Sequence, residues 1–365
     1  MRIEAGFEID FLPVGENSKH GDAISIRYGY PENYKIIVID GGTKTSGKAL
    51  VEHIQLYYNT NFVDYVINTH PDSDHATGLK VILEELEVGE LWMHLPWTHS
   101  QTIRDLFKDG RMTDNSLEQR IKGSLSAVYA LYELAEEKGV PIYEPFEGTN
   151  IGVFTVMSPN RDWYLNELLP AFKHMPEIKE EKISSFIESM QEISKRIANK
   201  IIEFIEENWD VETLKNDVKT SERNESSVIL HSHLNGLGIL LTGDSGIQAL
   251  SKAADYAESL GIDFKNCRFI QVPHHGSRHN VSPDVLDRII GSKVSQNEEA
   301  KKSAYASVSK GADDYPRRSV ANAFKRRGVN VFATKGRTKT YSVNMPEREG
   351  WHAAEPLPFY SEVEK

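Results

Sequence analysis

The chain has 365 residues, with 42 basic against 54 acidic side chains for a formal net charge of −12, and one cysteine, Cys267. This balance excludes a protein coated in positive charge, such as a DNA packer, and one cysteine excludes an intrachain disulfide or a Cys-rich zinc module. Acidic residues interrupt the first ten positions, so they do not read as a signal peptide, and no apolar run reaches the roughly 20 residues of a membrane helix; the expectation is a cytoplasmic chain with no membrane partner.

Alternating apolar and polar residues predict strands over Phe7–Leu12 and Ala23–Tyr28. The run Lys35–Asp40 predicts a buried strand that ends in the turn Asp40-Gly41-Gly42. A helix is expected over 47–60, a strand over Phe62–Asn68, a helix over 76–87 and a short strand over Glu90–His94. Leu117, Ile121, Leu125, Val128, Leu131 and Leu134 recur in steps of three and four, which predicts one helix over 116–138. Residues 151–157 read as a strand. From 160 to 225 the texture changes to a helical insertion. Its main feature is one long amphipathic helix marked by Ile183, Phe186, Ile187, Met190, Ile193, Ile197, Ile201 and Ile205. That helix packs on its own domain or serves a protein partner or self-association. Strands resume at Ser226–Leu230 and Gly238–Leu241, followed by a helix at 246–260 and a strand at Phe269–Pro273. A helix over 282–291, a surface loop over 292–302, a helix over 317–327 and strands at Val329–Ala333 and Thr340–Val343 complete the pattern. Alternating strands and helices point to α/β layers.

Three strand ends carry chemistry. Thr69-His70-Pro71-Asp72-Ser73-Asp74-His75 places four metal-capable side chains within six residues, and imidazoles mixed with carboxylates suit divalent transition metals. A polar loop in which Asp74 caps the next helix would need no histidine. Leu240-Leu241-Thr242-Gly243-Asp244 delivers one carboxylate at a strand tip. Val272-Pro273-His274-His275-Gly276-Ser277 sets two adjacent histidines in a Pro/Gly turn, which packing does not explain.

Together these motifs resemble the metallo-β-lactamase-fold hydrolases, and most closely the hydrolase domain of ComEC-type DNA-uptake proteins and their soluble relatives. His70-Pro71-Asp72-Ser73-Asp74-His75 is similar to that group's HxDxDH signature, and Ile39-Asp40-Gly41-Gly42 to its early DGG turn. Asn224-Glu225-Ser226-Ser227-Val228-Ile229-Leu230 with Leu241-Thr242-Gly243-Asp244 resembles its NxxSxVL…LTGD pair, and Val272–Ser277 its VPHHGS motif. The motifs stand in family order across about residues 5–345. The resemblance implies a four-layer αββα sandwich formed by residues 1–365 as a single hydrolase domain, with 160–225 as a helical insertion. It implies two divalent metal ions, zinc or manganese, with magnesium also suited to the carboxylate Asp72. His70 and Asp72 would hold the first ion. Asp74 and His75 would hold the second, Asp244 would bridge, and His274 or His275 would complete the second site. Asp40 would lie behind them, and Asp74 is also carried as catalytic. His94, His99, His174, His231 and His233 are candidates for one more ligand, although a structural histidine is the better reading of each. Two cations roughly 4 Å apart would activate a shared water and offset charge on a phosphodiester. His279 or Ser277 would assist the leaving group.

Gly42–Ala49 nearly matches the P-loop pattern, but Ala49 stands where the magnesium-binding hydroxyl belongs, so Lys48 and its neighbours read as a turn. Arg317, Arg318, Lys325, Arg326 and Arg327 open a basic strip over 316–340 that reads either as a phosphate-backbone track or as a solvated face. The leading function is therefore a metal-dependent phosphodiesterase or nuclease acting on a phosphodiester or nucleic acid. Alternatives are a hydrolase of another small ester, of phosphocholine or lactone type, and a regulatory protein that binds a partner through the insertion.

Overall fold

The computed structural model describes residues 5–16, 21–182 and 203–365. Two seven-stranded sheets form its centre. In spatial order, the first contains β15 (Lys339–Val343), β1 (Gly6–Phe11), β2 (Ala23–Tyr30), β3 (Asn33–Gly41), β4 (Phe62–Ile67), β5 (Glu87–Trp92) and β6 (Ile142–Tyr143). The second contains β14 (Val329–Ala333), β13 (Lys302–Ala306), β12 (Cys267–Gln271), β11 (Leu237–Leu241), β10 (Ile229–Leu234), β8 (Phe154–Ser158) and β7 (Asn150–Ile151). A small ribbon pairs β9 (Phe204–Glu206) with β16 (Glu362–Glu364).

The two-residue period of a strand decides what lies between the sheets. Phe7, Ile9 and Phe11 of β1 point inward, and the Phe11 ring meets Phe269 at 5.9 Å and Tyr305 at 5.6 Å. Each such ring or branched side chain contributes about 1.5–3 kcal/mol on burial. Glu8 and Asp10 point the other way and are nevertheless buried. They survive there because Arg27 and Arg348 pair with Glu8, and His53, Tyr58 and Arg348 bond Asp10.

Helices cover the outer faces. α1 (Lys44–His53), α2 (Ser73–Glu85), α3 (Asp114–Ser124) and α4 (Ser126–Lys138) lie on the side of the first sheet. α5 (Ile247–Ser259), α6 (Pro283–Ile289) and α7 (Arg318–Arg326) lie on the side of the second. The architecture is the expected αββα arrangement.

Several elements differ from expectation. The helix over 116–138 is two helices, broken at Leu125, whose φ of −119° and ψ of 39° leave the helical region. α1 stops at His53 and a single wide turn, Ile54–Tyr58, follows. Lys302, placed at the end of a loop, instead begins β13, a short strand with no apolar run to announce it. Most of the long helix marked by Ile183 to Ile205 lies outside the described residues. Ile205 itself is in β9.

Strand direction positions the candidate site. β3 and β4 run parallel, so Asp40 and His70 leave the first sheet on one edge. β11 and β12 also run parallel, so Asp244 and His274-His275 leave the second sheet together. α2 packs against the Asp40 turn without side chains between. A Cβ at Gly78 would fall 1.8 Å from the Gly41 carbonyl oxygen, and Gly78 N–H donates to the Gly42 oxygen at 2.9 Å.

Candidate metal centre

Asp40 organises the first half of the site. It sits at φ +53°, in the left-handed region that an aspartate tolerates better than most residues, followed by Gly41 and Gly42. Its carboxylate accepts Thr69 N–H at 2.8 Å, Thr69 Oγ1–H at 2.6 Å and His75 Nδ1–H at 2.8 Å. The Thr69 hydroxyl oxygen in turn accepts His70 Nδ1–H at 3.0 Å. Both imidazoles thereby carry their proton on Nδ1 and turn Nε2 inward. His70 Nε2 is buried and has no hydrogen-bond partner among the described residues.

Asp244 faces them from the second sheet. Its carboxylate lies 3.8 Å from His70 Nε2, 3.4 Å from His75 Nε2, 3.5 Å from His274 Nε2 and 3.5 Å from His275 Nε2. The turn that carries it is held at both ends. Ser227 Oγ accepts Asp244 N–H at 3.2 Å, and Gln271 Oε1 accepts the amides of Thr242 and Gly243 at 2.9 and 3.0 Å. His274 and His275 both take positive φ, 45° and 58°, and this double departure aims two neighbouring rings at the same carboxylate. His274 Nδ1–H donates to Asn280 Oδ1 at 2.9 Å, while Asn280 Nδ2 donates to the Asp244 carbonyl at 2.8 Å.

Burial by itself raises the Asp244 pKa, but His274, His275 and His75 hold it well below the usual carboxylate range. Burial disfavours the His75 imidazolium, yet Asp244 and Asp40 push its pKa well above the usual range. His70 is pushed down by burial and by the neighbouring His75. Buried imidazole nitrogens converging on a buried carboxylate, one of them without a partner, fit a divalent cation. Asp40, His70 and His75 form one group with metal-ligand spacing, and His75, Asp244 and His275 form another.

The structure sorts the other predicted residues. Asp72 is half-buried, with Oδ2 3.8 Å from His70 Nε2 and Oδ1 3.3 Å from Arg223 Nη1. Asp74 belongs to neither group; it is half-buried at the start of α2 and lines a cavity of about 350 Å³ with Asp72 and Arg223. His275 is buried and His274 stands at the rim with its side chain 31% exposed, yet both reach Asp244. Ser277 Oγ accepts the His279 amide at 3.3 Å, a turn contact. His279 lines a separate cavity of about 610 Å³ with Arg278 and Lys215. Burial, and then Arg278, Arg317 and His274, lower its pKa. Among the additional histidines, His94 stacks on Tyr164 at 4.3 Å and His99 bonds Glu144 at 2.9 Å. His231 packs on Phe264, while His233 and His174 are exposed. None of the five joins either group.

The basic track is corrected. Arg326 is fully buried; it pairs with Glu207 at 2.6 Å and donates to the carbonyls of Trp209, Asn208 and Val211. Arg327 is buried between Glu212 at 2.9 Å and Asp287 at 2.7 Å. Arg317 pairs with Asp314, Arg318 covers Phe204 and Tyr360, and Lys325 donates to the Leu357 carbonyl. These cations bind the chain to itself. Three polar residues around the site were not singled out from sequence: Asp22, Gln271 and Arg223. Gln271 Nε2 donates to the fully buried Asp22 at 2.9 Å, and neither residue sits in a pattern with a chemical signature.

Residues 33–125 match the model of the metallo-beta-lactamase superfamily. No curated protein sequence matches the chain. Among solved structures, unliganded yeast PDE1 aligns at 10% identity over 92% of this chain and 99% of its own, with a TM-score of 0.41. The metallo-beta-lactamase fold protein YhfI from Bacillus subtilis aligns at 10% identity over 93% and 100%, with a TM-score of 0.41. The metallo-beta-lactamase SMB-1 bound to 2-mercaptoethanesulfonate aligns at 10% identity over 76% and 87%, with a TM-score of 0.31.

Proposed function

We propose, from the match of residues 33–125 to the metallo-beta-lactamase superfamily, whose members are metal-dependent hydrolases, that the chain hydrolyses phosphodiesters with two divalent metal ions, zinc or manganese. One observation carries the metal reading: a buried carboxylate, Asp244, lies within 3.4–3.8 Å of the Nε2 atoms of His70, His75, His274 and His275. These residues would hold the ions, with Asp72 and Asp74 at the edge. Bound there, divalent cations supply Lewis acidity that activates water and offsets charge on the substrate. Asp40, Thr69 and Asn280 keep the imidazole protons on Nδ1 and the rings aimed. His274, at the rim, is the imidazole positioned to meet an incoming ester.

The phosphodiester part rests on charge. Two dications would offset Asp40, Asp72, Asp74 and Asp244 and set positive charge at the mouth, which favours an anionic ester. A small phosphodiester is preferred to a long nucleic acid, because Arg326 and Arg327 are consumed inside the chain.

Protein loaded with Mn²⁺ or Zn²⁺ is expected to retain metal through gel filtration and to hydrolyse bis(p-nitrophenyl) phosphate. Asp244→Ala is expected to lose at least the roughly 10–100-fold that follows loss of a metal's outer partner. No metal uptake would remove the enzyme reading. Action on neutral esters alone would remove the phosphodiester.

A further inference from the structure

Arg223 lies beside the candidate metal centre, where its side-chain contacts are long. It belongs to a one-turn helix, Glu222–Glu225, that is fixed on every side. Ser221 Oγ accepts Asn224 N–H at 3.2 Å, and Asn224 Nδ2 donates to Thr220 Oγ1 at 2.7 Å. The buried Glu225 carboxylate accepts Ala249 N–H at 2.8 Å, at the amino end of α5. The backbone of Arg223 is therefore set, and its side chain reaches across to the HxDxDH loop. Nη1 is 3.3 Å from Asp72 Oδ1 and Nη2 3.4 Å from the Ser124 carbonyl oxygen, both longer than a well-formed bond of this type. Nε is buried with no hydrogen-bond partner among the described residues. The Phe172 ring lies over the guanidinium at 5.9 Å. Arg326 shows the contrast: its Nη1 meets Glu207 at 2.6 Å and its Nη2 meets the Val211 carbonyl at 2.7 Å.

Space is available beside the guanidinium. A cavity of about 350 Å³ is lined by Asp72, Asp74, Ser124, Ser126 and Arg223. The amino end of α2, which the Asp72 side chain does not cap, borders the same cavity and favours negative charge. A guanidinium is always charged, and its planar fork matches two oxygens of a phosphate.

We propose that Arg223 is the specificity-determining cation of the site, receiving non-bridging phosphate oxygens in this cavity and so selecting phosphate esters over neutral esters. The assignment rests on the metal-hydrolase reading above and names its substrate class.

The test uses metal-loaded full-length protein with Arg223→Gln and Arg223→Lys. Thermal melts and metal content verify that each variant is folded and loaded. Calorimetric titration with inorganic phosphate should show about a 10–100-fold weaker Kd in the Gln variant and partial recovery in the Lys variant. In parallel, kcat/KM for bis(p-nitrophenyl) phosphate should fall by a similar factor, mostly through KM, while that for neutral p-nitrophenyl acetate stays within twofold. Equal loss on both esters, or unchanged phosphate binding in a fully loaded Gln variant, overturns the proposal. If the Gln variant does not fold, the Lys variant decides by its phosphate Kd, which should lie measurably above that of the parent; an identical Kd overturns the proposal. A parent protein with Arg223-dependent phosphate binding but no phosphodiesterase activity would sink the proposed function and leave this assignment standing. Phosphodiesterase activity indifferent to Arg223 would do the reverse.

Discussion

At the scale of single residues, neighbours decide what a charge does. Arg326 and Arg223 are both arginines near acidic groups. One is saturated and fully buried, while the other keeps spare donors beside a cavity. Arg326→Met would leave Glu207 buried without its cation, so we expect a loss of about 3–5 kcal/mol of stability in denaturant titrations. Metal content per folded chain should not change. Glu225 tests burial differently. Burial raises its pKa from 4.5 to about 7, against the amides of Ala249, Gln248 and Gly246, which favour its charge. A raised carboxyl holds its proton longer in the folded state. The stability it confers is complete below about pH 4.5 and is lost as pH rises through about 7, on the order of 3 kcal/mol. Denaturation in chelator at pH 4.5 and pH 8.5 should show that fall in the parent and a flatter profile in Glu225→Gln.

Among the elements, the junction of β3, α1 and α2 sets the position of the HxDxDH loop. Gly41, Gly47 and Gly78 let backbone meet backbone there, with Gly78 also within 2.4 Å of a Cβ placed at Gly47. Gly78→Ala must push α2 away from the Asp40 turn. We expect a stability cost of about 1–3 kcal/mol, together with weaker metal retention measured by chelator competition, because His75 rides on α2. An alanine with room around it, Gly123→Ala near the end of α3, meets nothing within 4 Å; it should raise stability by about 0.5–1 kcal/mol, as helical Gly→Ala changes do, and leave metal retention unchanged. The element scale also shows where reading from sequence stops. Strand ends at Asp40, His70, Asp244 and His274 were legible because apolar runs and turn residues are local signals. The break at Leu125 and the strand at Lys302–Ala306 were not, because a continuous apolar stripe hides a change of direction and a five-residue interior strand of small and polar residues lacks an apolar run.

For the molecule as a whole, the candidate ligands come from both halves of the sandwich. His70 and His75 follow the first sheet, and Asp244, His274 and His275 follow the second. Metal binding would therefore clasp the two sheets at one edge. At a hundredfold excess over Kd, ligand linkage adds about 2.7 kcal/mol to stability. Calorimetric melts should show a Tm several degrees higher with Mn²⁺ or Zn²⁺ than in chelator, and no such difference in Asp244→Asn. An equal rise in that variant would mean that the ions act elsewhere.

Sequence alone determined the α/β layering, the strand ends and the residue types gathered there, since each is written in contiguous runs of a few residues. Tertiary structure decided which nitrogen of His70, His75 and His274 faces the centre, because Thr69, Asp40 and Asn280 fix those protons. It also decided the fate of the basic strip. The partners of Arg326 and Arg327, Glu207 and Glu212, lie 119 and 115 residues earlier in the chain, so a charge count along a window registers the cations and misses the acids that enclose them.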